Sequence, residues 1–226
     1  MHKVRDNIFR WLPFAVCFVF GVIALSCHHI VCSSVNKVVY LQTPVCMVIP
    51  LIFPALEKWG KIKIPYFLVV VVAVQIIISV DLGTALNFYS IPNYDKFLHT
   101  YFGVWCAQLI FYFIHLWGGG NIKMFCKLVL VMLGVLGVAA IWEIFEFTMS
   151  EIIPDYDPQV WRSAAAAGTN PLWDTMFDII VAAIGVVIFY LTLLADKLAG
   201  GRIYRGTLTP VRSVPAADIH AANKQP

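Results

Sequence analysis

The chain has 226 residues, of which 60% are hydrophobic and 13% charged, with a formal net charge of +3. Soluble domains carry roughly 45–50% apolar and about 25% charged residues, so no water-soluble fold of this length could hide so much apolar surface. The basic residues flank apolar segments and form no continuous stripe with interleaved aromatics, which argues against nucleic acid as a partner.

The first predicted span covers residues 11 to 30, behind a basic start at Lys3, Arg5 and Arg10. It has the outline of a signal peptide, but the apolar run is long for one and is read as an uncleaved span. The second, at 38 to 56, carries Pro44, Pro50 and Pro54, so bending is expected there. The others are predicted at 64 to 82, 97 to 117, 127 to 149 and 174 to 195. Gly118 to Gly120 and Gly200-Gly201 punctuate two helix ends, while Gly103, Gly134, Gly137 and Gly185 are read as close helix contacts. The expected class is an all-α bundle of six transmembrane helices over residues 1–199, followed by a polar, mobile tail over 200–226.

The six cysteines (Cys17, Cys27, Cys32, Cys46, Cys106, Cys126) show no CxxC spacing and read as small hydrophobes. A Cys27–Cys32 disulfide, or a soft-metal site with His28 and His29, is a minor alternative. Adjacent residues on a helix diverge by about 100°, which disfavours that metal site.

Alternate connecting segments differ in basic content. One set holds thirteen Lys and Arg residues, including Lys58, Lys61, Lys63, Lys123, Lys127 and Lys197, and the other holds only Lys37, Lys96 and Arg162. Basic residues resist translocation, so both termini are expected in the cytoplasm.

Threaded this way, the acids in or beside the spans fall at one level, toward the exoplasmic side. Asp81 ends the third span, Asp95 and His99 open the fourth within YDKFLH, Glu143 and Glu146 lie in WEIFEF of the fifth, and Asp174 and Asp178 open the sixth within WDTMFD. Residues three or four apart share a helix face, so each pair can point one way. Glu143 precedes Met149 by six residues, which buries it about 9 Å inside that helix end.

Ionisable groups inside a span cost on the order of 2.5–3.5 kcal/mol each and normally face a partner or a cavity. Six acids against Lys96 and Arg162 leave about four formal negative charges, so protonation or a bound cation must compensate. Carboxylates with one His suit a divalent metal ion. The candidate metal ligands are Asp95, His99, Glu143, Glu146, Asp174 and Asp178. Glu143, Glu146 and Asp178 are the candidate catalytic residues, one acting as general base on a metal-polarised water, and Lys96, Arg162 and Asp81 are the candidate substrate contacts. The loop from about 150 to 173, with Glu151, Asp155, Asp157 and Arg162, is a candidate cap.

YDKFLH followed by Gly103, then WEIFEF, then GTNPLWDTMFDIIVAAIG from Gly168 to Gly185 resemble the signature of the YjdF-type family of small bacterial membrane proteins. More distantly they are similar to the VanZ-like family, which carries a like Asp-Lys-x-x-His, a later acidic position and an Asp-to-Gly helix. The resemblance covers roughly residues 60 to 195. It implies a multi-pass protein of the bacterial cytoplasmic membrane, acting at the outer face. The chain departs from the VanZ-like pattern at Ala182 or Ala183, where an Asn commonly precedes the Gly, and in its second acid, Glu146.

Three functional readings stay open. The first is metal-assisted chemistry on, or binding of, a lipid headgroup or envelope precursor at the outer leaflet. The second is a proton- or cation-coupled small-molecule transporter, disfavoured by the absence of a visible inverted repeat. The third is a structural or regulatory scaffold with a buried charge network. The expected partners are the lipid bilayer and a lipid headgroup or small-molecule ligand.

Overall fold

The computed structural model describes residues 2–32, 37–60, 62–117, 122–153, 156–202 and 204, with side chains from Arg10 onward. The Gly118–Gly120 helix stop, Asp155 of the candidate cap, Lys61 and the tail from 205 to 226 lie outside the described residues.

Among the described residues, six helices are long and apolar enough to cross a membrane. The first is the Arg10–Val31 part of α1 (His2–Val31). The second is broken, as its three prolines predict: α2 (Val39–Val48) passes through a 3-10 turn (Ile49–Leu51) into α3 (Ile52–Gly60). Proline lacks the N–H that an α-helix donates four residues back, and Pro50 sits inside the turn where the pattern changes. The third joins α4 (Tyr66–Ile76) to a π-helical segment (Ile77–Ala85). A short 3-10 turn (Phe88–Ser90) leads to α5 (Tyr94–Trp117), then α6 (Met124–Ile152), the six-residue α7 (Trp161–Ala166) and α8 (Leu172–Leu198). No strand occurs among the described residues. At the end of α8, Gly200 and Gly201 take φ of 97° and 68°, and the Gly201 N–H closes onto the Asp196 carbonyl at 2.7 Å. This left-handed stop is open to glycine at little cost.

The helices are apolar on nearly every face. Val129, Leu133, Ile141 and Ile144 of α6 are exposed on the outside of the bundle, an arrangement ordinary in lipid and costly in water. Two groups of three spans make up the bundle. One comprises α1, the α2–α3 span and the α4 span; the other comprises α5, α6 and α8, with α4 against α5 joining them. A shared core runs through both, including Cys17, Leu68, Val72, Phe111, Tyr112, Val135, Val186 and Phe189.

The tightest seam lies between α5 and α8. A Cβ added at Gly103 would stand 2.1 Å from the Ala182 carbonyl oxygen, and one at Gly185 would stand 2.3 Å from that of Thr100. The backbones therefore touch, and only glycine fits. Gly134 similarly receives Ile110 of α5, but Gly137 has nothing within 4 Å of its notional Cβ. The expected helix contact at Gly137 is thus not found, because that position faces away from the neighbouring helices. All six cysteines are free thiols, so the Cys27–Cys32 bridge is absent. His28 Nδ1 lies 2.7 Å from the Ala85 carbonyl and His29 Nε2 lies 2.5 Å from the Tyr40 hydroxyl, so these imidazoles turn to different partners.

At the end carrying most of the basic residues, Arg10 pairs with Glu57 at 2.6 Å, and Glu57 also accepts from the Ile64 N–H at 2.8 Å. Lys127 reaches His115 at 3.1 Å. The clustered acids lie toward the opposite end.

Candidate functional site

Backbone contact between α5 and α8 sets the site, because it brings the first turns of both helices to one level. Lys96 of α5 then points at α8. Its Nζ lies 2.5 Å from Asp174 Oδ1, 2.8 and 2.9 Å from the two oxygens of Asp178, and 3.0 Å from Asp95 Oδ2. An ammonium has three protons to donate, so these three aspartates use it fully. Asp174 and Asp178 stand one turn apart on α8 and share the ion because that spacing keeps them on one face. The Asp178 side chain is 2% exposed, so the pair is closed to water on that side. His99, one turn beyond Asp95, puts Nε2 at 3.6 Å from Asp95 Oδ1 and 3.8 Å from Asp178 Oδ1. Those separations are electrostatic contacts, too long for hydrogen bonds.

The third wall is the late part of α6. Glu143 is 5% exposed; its Oε2 accepts from Gln159 Nε2 at 2.8 Å, while its Oε1 is buried without a hydrogen-bond partner. Gln159 enters from the connection before α7, and its Nε2 also donates to Thr175 Oγ1 at 2.6 Å. Its own N–H lies 3.3 Å from Ser150 Oγ. Glu146 is half-buried and accepts from Trp142 Nε1 at 2.8 Å.

Ligand-type atoms of Asp95, His99 and Asp178 lie within 4.8 Å of one another, and so do those of His99, Glu143 and Glu146. His99 belongs to both sets. Five carboxylates thus face one ammonium and one imidazole, and in a low-dielectric bundle either protonation of some of them or a bound cation balances the cluster. Two phenols close the surroundings. The Tyr89 ring lies on Gly83, where a Cβ would come within 2.7 Å of it. Burial first, then Asp95 and Glu146, push its hydroxyl upward in pKa. Burial and Glu146 push Tyr156 up to about 12. Both phenols therefore stay protonated at any physiological pH, available to donate toward Glu146 or a ligand.

Of the sequence-predicted residues, Asp95, Lys96, His99, Glu143, Glu146, Asp174 and Asp178 come together. Asp81 and Arg162 do not join them. Asp81 is buried in the π-helical segment, which packs on α1 and α2. Arg162 lies over the Trp161 ring, 3.9 Å from Glu151 and 3.5 Å from the Tyr156 carbonyl. The wall also contains residues that the sequence reading did not single out: Gln159, Thr175 and Trp142 as a hydrogen-bond donor. Thr175 directly follows Asp174 in WDTMFD, and that adjacency was its one signal. Gln159 had none, since it lies in irregular chain without periodicity.

Replacing Gln159 by leucine leaves the whole Glu143 carboxylate without a donor. We expect a loss of about 1–3 kcal/mol, read as a lower midpoint in a detergent melting curve, whereas Gln159→Glu beside Glu143 should lower it further.

Compared with known proteins, the chain matches the family described as Predicted membrane protein (DUF2238) over residues 12–197. No curated protein and no solved structure matches it.

Proposed function

This chain belongs to the DUF2238 family of predicted membrane proteins, and from that premise we propose that it binds a divalent cation in the membrane through His99, Glu143 and Glu146 and acts on a lipid headgroup or envelope precursor at the outer leaflet. The observation that carries this reading is the buried, unpartnered Oε1 of Glu143, a residue that also brings a carboxylate oxygen within 4.8 Å of ligand-type atoms of His99 and Glu146. An orphaned buried carboxylate oxygen is costly, and a cation beside it removes the cost.

Charge decides between the two candidate ligand sets. Asp95 and Asp178 are already held by Lys96, and an ion placed between them would face that ammonium. The Glu143 and Glu146 carboxylates make no ion pair with a lysine or arginine among the described residues. The cation therefore belongs with the glutamates and His99, whose imidazole stands 3.6 and 3.8 Å from the Lys96-bound Asp95 and Asp178. One imidazole and two carboxylates suit a borderline or hard divalent ion. Such an ion polarises a phosphoryl or carbonyl oxygen or lowers the pKa of water. Asp95, whose Oδ1 is not engaged by Lys96 and whose side chain is 35% exposed, is the group placed to take a proton. Trp142 and the two phenols would orient a polar headgroup against Glu146.

The basic-residue asymmetry supports an exoplasmic position for this layer. The likeness of YDKFLH, WEIFEF and the Gly168–Gly185 string to YjdF-type and VanZ-like proteins supports the bacterial cytoplasmic membrane as its location.

Metal content of detergent-purified protein tests the reading. After loading with Mg, Mn or Zn, the wild type should carry about one ion per chain. Glu143→Gln should weaken retention by at least about 10–100-fold, the size usual for losing even a group that only supports a ligand. Asp178→Asn should keep the ion. An empty wild type under all three metals would sink the proposal and favour proton-coupled transport by the same carboxylates.

A further inference from the structure

Asp81 lies away from the carboxylate cluster, in the segment that packs on α1 and α2. It is 2% exposed, its Oδ2 has no hydrogen-bond partner, and no basic side chain pairs with it among the described residues. Its surroundings are specific. Ala24 of α1, Val39 of α2 and Ala85 of the π-helical segment form one small buried cluster. Thr43 lies one turn beyond Val39 on the same face of α2, and Asp81 lies about one π-turn before Ala85, so both fall one level deeper in the same three-helix junction. Thr43 is 1% exposed and its Oγ1 is also without a partner. A threonine in a helix ordinarily donates back to the carbonyl four residues earlier. Here the hydroxyl forgoes that bond. Cys46, on the same face as Thr43, and Cys17 of α1 both lie within electrostatic reach of Asp81.

The backbone is irregular at this junction. The segment carrying Asp81 is π-helical, its Leu86 N–H bonding the Asp81 carbonyl at 3.0 Å, and π segments concentrate at functional positions. A buried acid inside a span normally faces a partner or holds a cation.

From this geometry we propose that Asp81 and Thr43 form a second, separate cation site, selective for a monovalent alkali ion of the sodium class. The stoichiometry follows from charge: one carboxylate with a neutral hydroxyl reaches neutrality with a single positive charge, and a divalent ion would leave an excess in low dielectric. The donors are oxygens, which select a hard ion. Thiols are poor ligands for such an ion, so Cys17 and Cys46 act as apolar walls. This site does not depend on the metal assigned to His99, Glu143 and Glu146.

Thermal unfolding in detergent tests it, comparing 100 mM NaCl, KCl and choline chloride at constant ionic strength. The wild type should melt on the order of 3–6 °C higher in sodium, the shift given by a ligand present well above its dissociation constant. Asp81→Asn should abolish the difference. Thr43→Val, which keeps the shape of the side chain, should shrink it at least about threefold, and this second variant covers the case in which Asp81→Asn fails to fold. Glu143→Gln should retain it in full, which separates failure here from failure of the divalent site. The same melting point in all three salts for the wild type, or a sodium shift surviving in Asp81→Asn, overturns the proposal. So does a midpoint that changes with pH through Asp81 but not with sodium, which would make the group a proton carrier.

Discussion

Lys96→Met is expected to lower the unfolding midpoint of the detergent-solubilised protein by on the order of 10 °C. The substitution keeps most of the stem's volume and removes only the charge, so packing loss is a small part of the effect. What remains is three carboxylates, Asp95, Asp174 and Asp178, within reach of one point and without a counter-ion. Removing one member of a buried pair costs roughly 3–5 kcal/mol, because the abandoned charge stays buried. Lys96 itself is 24% exposed, which places the loss toward about 3 kcal/mol, and for a chain of this length each kcal/mol shifts the midpoint by about 2–4 °C. Pairing Lys96→Met with Asp178→Asn removes the most buried of the orphaned charges and should recover part of the loss. A single variant melting within about 2 °C of wild type would show that the ammonium is not the electrostatic centre of the site.

The second large effect is expected at the α5–α8 seam. Gly103→Ala places a methyl where the Ala182 carbonyl oxygen already stands, and Gly185→Ala does the same against Thr100. The atoms met are backbone, so no side chain can rotate away and the helices must separate. Overpacking typically costs about 1–3 kcal/mol, and more where the obstacle cannot relax. The separation should also shift His99 of α5 relative to Glu143 and Glu146, so metal retention at that set should fall along with the melting temperature. Gly137→Ala is the control: its Cβ would meet nothing within 4 Å, and better helix propensity should leave stability equal or slightly raised. Equal midpoints for Gly103→Ala and Gly137→Ala would refute the seam argument.

How far the sequence could be read depends on which dimension is asked about. Hydropathy reports depth along the membrane normal, and the six spans lie within a few residues of their expected places. The proline-rich second span announced its own irregularity. The π-helical segment did not, because Ile77–Ala85 contains no proline and its one glycine, Gly83, falls near the end of an otherwise ordinary apolar run. It coincides with the burial of Asp81 and with the Tyr94 hydroxyl donating to the Ile78 carbonyl at 2.6 Å, contacts that local sequence does not encode. Direction around the helix axis was harder to read than depth. Asp81 belongs to the other three spans, and nothing local says which neighbour a buried acid meets. Lys96 was recognisable as a counter-ion, but its three partners depend on α5 lying against α8. Gly103 and Gly185 hinted at a close seam without naming it. Gln159 reaches Glu143 from irregular chain, where no period exists to be read.

The partnership of α5 with α8 also dictates an order of assembly. During synthesis α5 reaches the bilayer well before α8, since α6 and α7 intervene. It is also the least hydropathic of the six spans. Until α8 arrives, Lys96 has only Asp95, its own chain neighbour, for company. Nascent α5 is thus the span that its own hydropathy commits least to the bilayer. Before α8 arrives, the Lys96 ammonium keeps one of its three carboxylate partners. The charge network at the heart of the folded site therefore closes last, when α8 settles against α5.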